Sequence, residues 1–92
     1  MNYYALIYHL VDDYITRRTQ FRSEHLKMSK ELNEQKKLIL GGAFSNPSDT
    51  ALLIFHVDDK SVIEDFVKND PYVKNGLVTK WEIREWTVVI GN

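Results

Sequence analysis

Cysteine is absent from this 92-residue chain, which rules out disulfide staples, thiolate metal sites and cysteine nucleophiles together. No apolar run approaches the ~20 residues needed to span a bilayer. The N-terminus carries no signal-peptide pattern. The expectation is therefore a cytoplasmic protein with no membrane partner. Neither sign of charge dominates, since 12 Lys and Arg stand against 13 Asp and Glu. The basic residues are interleaved with acidic ones and form no stripe that could release counterions from a nucleic-acid backbone. A nucleic-acid partner is not expected. No internal repeat, low-complexity segment or linker interrupts the chain.

What is present suits one folded domain over residues 1–92, the size of a single unit. With 43% hydrophobic and 27% charged residues, the composition excludes intrinsic disorder. A domain of this length buries only about 60–65% of the surface its unfolded chain exposes, so its own core is modest.

Asn2 to Leu10 (NYYALIYHL) reads as a strand that is apolar on both parities, the signature of a strand covered on both sides. Asp12 and Asp13 then offer an N-cap for a helix running from Tyr14 to about Gln35. Phe21, His25, Met28 and Leu32 recur at i, i+4, i+7 and i+11 along it, on one helical face. His25 thus points with the core residues, while Arg22, Leu26 and Ser29 lie on the adjacent flank. Leu38 to Phe44 is a second strand interrupted by Gly41-Gly42, the place where a bulge or close approach is expected. Ala51 to Val57 is a third strand. Ser61 and Glu64 form a capping box for a second helix. Its stripe is Ile63, Phe66, Val67 and Asp70. Pro71 turns the chain out of helical geometry, and Asn75-Gly76 offers a left-handed stop. Leu77 to Ile90 is a final strand whose change of parity near Arg84-Glu85 predicts a β-bulge there.

The order is β-α-β-β-α-β, an α+β, ferredoxin-like four-stranded antiparallel sheet with the first and third strands central. Two helices cover one face only. The other face would expose a tyrosine, a leucine and a tryptophan, and an apolar surface of that size marks an interface. A homodimer packed sheet to sheet, the dimeric α+β barrel, is expected. A monomer with a ligand cleft on the open sheet is the alternative.

Two inward polar residues on facing helices, His25 and Asp70, are the candidate catalytic pair. A buried carboxylate fixes an imidazole's tautomer and stabilises the imidazolium, an arrangement suited to general acid–base chemistry. Burying either alone is costly, so pairing follows if both point inward. The plain alternative is a satisfied core histidine and an aspartate that caps the turn at Pro71. Arg22, one turn before His25, is a candidate for binding an anionic or phenolic substrate, or else a surface ion-pair residue. Ser45 would supply a hydroxyl at the site mouth, or simply a turn hydrogen bond. Tyr72 would shape the pocket wall, or simply pack against the core. His9 and His56 have no companion ligands at metal spacing, and Gly41-Gly42 lacks the longer signature and lysine of a phosphate loop. Trp81 and Trp86 read as core or interface residues.

Arg22-Ser23-Glu24-His25-Leu26, Gly41-Gly42, Asp70-Pro71-Tyr72, Gly76-Leu77-Val78 and Ile83-Arg84-Glu85-Trp86, in this order, resemble the YCII-related (YciI-like) family over essentially the whole chain. The resemblance implies a dimeric α+β barrel with a His25–Asp70 dyad in a cleft. Some similar proteins act on hydroxylated aromatic rings by proton abstraction and elimination, with no metal or organic cofactor. The chain departs from many relatives at Ala43-Phe44, where they carry proline, and at Asp49-Thr50, where they carry a glycine. Two functions follow as expectations. One is a cofactor-independent lyase- or hydrolase-like enzyme for a small, aromatic or anionic substrate. The other is a non-catalytic ligand-binding or accessory protein on the same scaffold.

Overall fold

The computed structural model describes residues 1–91. Its strands are β1 (Asn2–Leu10), β2 (Leu38–Ala43), β3 (Thr50–Val57) and β4 (Val78–Trp86), with α1 (Tyr14–Arg17), α2 (Arg22–Glu34), α3 (Ser61–Asn69) and α4 (Pro71–Lys74) between them. All pairings are antiparallel and the sheet order is β2-β3-β1-β4. The two most continuously apolar strands are therefore the central ones, as expected. This is the ferredoxin-like α+β arrangement.

Strand alternation sorts the side chains. Tyr4, Leu6, Tyr8 and Leu10 of β1 and Ala51, Leu53, Phe55 and Val57 of β3 are buried beneath the helices. Ile63, Phe66 and Val67 of α3, with Leu77 after α4, close over them. Leu6, Phe55, Ile63 and Leu77 are wholly enclosed, each contributing roughly 1.5–3 kcal/mol by leaving water. The opposite parity, Tyr3, Ala5 and Ile7 with Leu52 and Ile54, forms the uncovered face. Trp86 lies across from Tyr3 on the same side.

Several local expectations are corrected. The helix expected over Tyr14 to Gln35 is broken by a 3₁₀ turn at Arg18–Gln20, where β-branched Ile15, Thr16 and Thr19 make a poor continuous helix. The side chain of Asp13 makes no capping bond. Ser61 is not an N-cap. Lys60 already has helical dihedrals, and Asp59 Oδ1 accepts from the Ser61 N–H at 2.9 Å, an Asx turn in place of the capping box. The irregularity in β2 lies between Leu38 and Leu40, while Gly41 and Gly42 pair regularly with Leu53 and Leu52. In β4 there is no bulge at Arg84-Glu85. The register is even from Trp86 back to Lys80 and shifts only beside His9 and Leu10. The strand expected to run to Ile90 ends at Trp86, which pairs with Tyr3.

Candidate functional site

α2 crosses above the β2 side of the sheet, and a cleft of about 370 Å³ opens between them. Its walls are apolar where Leu26, Leu38 and Leu53 line it. Tyr14 and Tyr72 contribute rings at one end, beside Arg18, Arg22 and His25.

Asp70 is the centre of the site because of where two helices meet. α3 ends at Asp70, whose extended dihedrals (φ −69°, ψ 120°) satisfy the restriction imposed by Pro71. The same residue then caps α4, its Oδ1 accepting from the Tyr72 N–H at 3.0 Å. Continuing the α3 stripe carries the side chain inward, where it is 0% exposed. Tyr8 of β1 donates its hydroxyl to Oδ2 at 2.8 Å, and His25 Nδ1 lies 2.8 Å from Oδ1. Both oxygens are thereby satisfied, as a buried carboxylate requires.

These contacts decide how the imidazole is oriented. Burial first, then the Asp70 charge and hydrogen bond, push the Tyr8 phenol far above its ordinary range. Tyr8 therefore keeps its proton and donates it. A carboxylate accepting from Tyr8 and from the Tyr72 backbone also accepts from His25, which places the imidazole proton on Nδ1. In the neutral ring the free lone pair is then on Nε2. The His25 side chain is 13% exposed and lines the cleft. It is stacked on Tyr72 at 3.9 Å between centroids and 7° between planes, with Phe66 edge-on at 6.1 Å. Tyr14 meets the same Tyr72 ring edge-on at 5.7 Å. Ser29 Oγ donates to the His25 carbonyl at 2.9 Å. Burial pushes the Tyr72 phenol up to about 12, against a pull downward from Arg22 and Arg18, so both guanidinium groups are felt at the ring.

The structure brings together His25, Asp70, Tyr72 and Arg22 of the residues singled out from sequence. Ser45 is the exception. It is exposed in the turn after β2 and is not among the cleft-lining residues, because β2 ends at Ala43 and the chain turns away. Arg22 lines the cleft and makes no salt bridge among the described residues.

Tyr8 and Arg18 belong to the site and were not found by sequence reasoning. A tyrosine among the inward residues of a core strand needs a partner for its hydroxyl, which was the available signal for Tyr8. For Arg18 it was the i, i+4 run of Arg18, Arg22 and Leu26 along the flank beside His25. Among the described residues no three His, Asp or Glu side chains gather where they could hold a metal ion, and no helix is long and apolar enough to cross a membrane.

No curated protein matches the chain in sequence. Its fold is similar to that of the 5-chloro-2-hydroxyhydroquinone dehydrochlorinase of Burkholderia phenoliruptrix, solved in complex with 2,5-dihydroxybenzoquinone. That likeness has a TM-score of 0.78 at 19% identity, over 92% of this chain and 93% of that one. It is also similar to a candidate antibiotic biosynthesis monooxygenase from Deinococcus radiodurans, with a TM-score of 0.59 at 12% identity, over 100% of this chain and 96% of that one. At such identities these structures establish the fold alone. The family is established separately: the YCII-related domain matches residues 1–87, and the chain belongs to that family.

Proposed function

We propose that this protein is a small enzyme performing cofactor-free general acid–base chemistry in the α2–sheet cleft, with His25 as the proton-transferring residue and Asp70 as its orienting partner. The observation that carries the reading is the fully buried Asp70 holding His25 Nδ1 at 2.8 Å, which leaves Nε2 for a molecule in the cleft. Nε2 would take a proton from the substrate, and the imidazolium so formed would be stabilised by the carboxylate beside it. A positioned base of this kind contributes roughly 10²–10⁴-fold to a proton-transfer step. The dehydrochlorinase that shares the fold acts on a hydroxylated aromatic ring, and a cleft with apolar walls and an aromatic end suits such a ring here. In the same reading the protein works as a homodimer through its uncovered sheet face.

Nitrogen-15 NMR of the His25 ring tests the dyad. The expected result is the Nδ1–H tautomer for the neutral imidazole, lost on Asp70→Asn together with turnover. An Nε2–H tautomer in the unaltered protein, or one indifferent to Asp70→Asn, overturns it. If His25→Ala leaves the affinity and fate of every cleft ligand unchanged, the scaffold is a binding protein instead.

A further inference from the structure

The charge on the cleft wall is one-sided. Arg18 and Arg22 line its aromatic end and Lys30 lies two turns farther along α2. Among the described residues no carboxylate lines the cleft, and Asp70 behind His25 is wholly buried and occupied by three hydrogen-bond donors. The acidic residues of α2, Glu24, Glu31 and Glu34, do not line this cleft. The neighbouring Arg17 shows what a structural arginine looks like in this chain. Its guanidinium donates to the Asn75 carbonyl at 2.9 Å and lies 3.8 Å from Asp13. Arg18 and Arg22 have no such partners among the described residues. Arg18 is instead held by its contact with the Tyr14 ring, 5.3 Å from the centroid, which leaves its hydrogen-bond donors uncommitted.

Spacing then limits what the pair can hold. Arg22 and His25 are three residues apart on one helix, so their side chains start about 5–6 Å apart. An anion bound at the guanidinium groups would therefore share the His25 end of the cleft. The apolar walls of the cleft, at Leu26, Leu38 and Leu53, adjoin this end.

We infer that the cleft takes a planar ring compound bearing one oxyanion group, with Arg18 and Arg22 gripping the oxyanion and His25 facing the ring. This deepens the acid–base reading and rests on it for the use of the site. It makes Arg18 and Arg22 specificity residues, selecting charged ring acids over neutral hydroxylated rings.

The test compares binding of 2,5-dihydroxybenzoate, its uncharged methyl ester and phenyl phosphate, followed by NMR shifts of His25 and the α2 amides. The acid is expected to bind roughly tenfold or more tightly than the ester, the ratio that one charge-assisted contact supplies. That preference should shrink in Arg18→Gln/Arg22→Gln and, in the unaltered protein, on adding salt. The salt arm needs no variant, so a misfolded double variant leaves the inference testable. Tighter binding of phenyl phosphate would keep the inference and make the group a phosphate. Equal binding of acid and ester, no saturable binding of either anion at millimolar concentration, or a preference insensitive to both salt and the arginine substitutions would overturn it. The two readings fail separately: a wrong His25 tautomer removes the dyad with the arginine-dependent preference intact, and the reverse pattern removes only the clamp.

Discussion

Asp70 holds three elements at once through one side chain: β1 through Tyr8, α2 through His25 and α4 through the Tyr72 backbone. Its inward position and that of His25 were legible in the helical spacing, because a polar residue in an apolar stripe stands out. Tyr8 was not, since the sequence shows an aromatic residue in a strand and not the carboxylate above it. The buried phenols have a consequence at high pH. Tyr72 keeps its proton to about 12 in the fold, whereas an unfolded tyrosine releases it near 10.0. The folded state thus binds more protons above the unfolded value, and stability falls as pH rises from about 10 toward 12. Tyr8 is shifted in the same direction and adds to the loss. Urea unfolding midpoints across this range should decline less steeply in Tyr8→Phe than in the unaltered protein.

At the level of elements, chain ends decide more than helix interiors. α2 stops in a Schellman motif, with Lys36 N–H on the Asn33 carbonyl and Lys37 N–H on that of Leu32, and Lys36 takes φ 62° to make it. A side chain there is strained, whereas Gly76 takes φ 75° after α4 without penalty. Opposite effects follow from the same physics. Lys36→Gly should raise unfolding free energy by about 1 kcal/mol, and Gly76→Ala should lower it by a similar amount; urea denaturation reads both. The Gly76 stop was visible from Asn75-Gly76. The Lys36 turn was not, because lysine carries no turn signal. The 3₁₀ break before α2 was equally hidden, since the apolar spacing runs on past it.

Across the whole molecule, the helices lie on one face of the sheet, and Tyr3, Ile7, Leu52 and Trp86 remain on the other, with Trp86 49% exposed. Val89 and Ile90 beyond β4 are exposed as well. The proposed sheet-to-sheet dimer would cover this surface. Ile7→Glu should then yield a folded monomer, with unchanged far-ultraviolet circular dichroism and half the mass in analytical ultracentrifugation. A wild-type chain that sediments as a monomer at micromolar concentration removes the proposal.

The order of the strands and main helices, the central strands, the inward faces of α2 and α3 and the absence of thiol chemistry are all legible along the chain. These follow from periodicity and residue type, which are local. Tertiary structure decided which polar groups meet. Tyr8 and Asp70 are 62 residues apart, and His25 and Asp70 are 45 apart. Only the packing of α2 and α3 on one sheet face closes such distances to 2.8 Å. Packing also placed Arg18 on the cleft and left Ser45 outside it, because the 3₁₀ turn and the end of β2 set their directions. Arg22 to Leu26 carried the first sign of the site; the fold added the buried carboxylate that orients it.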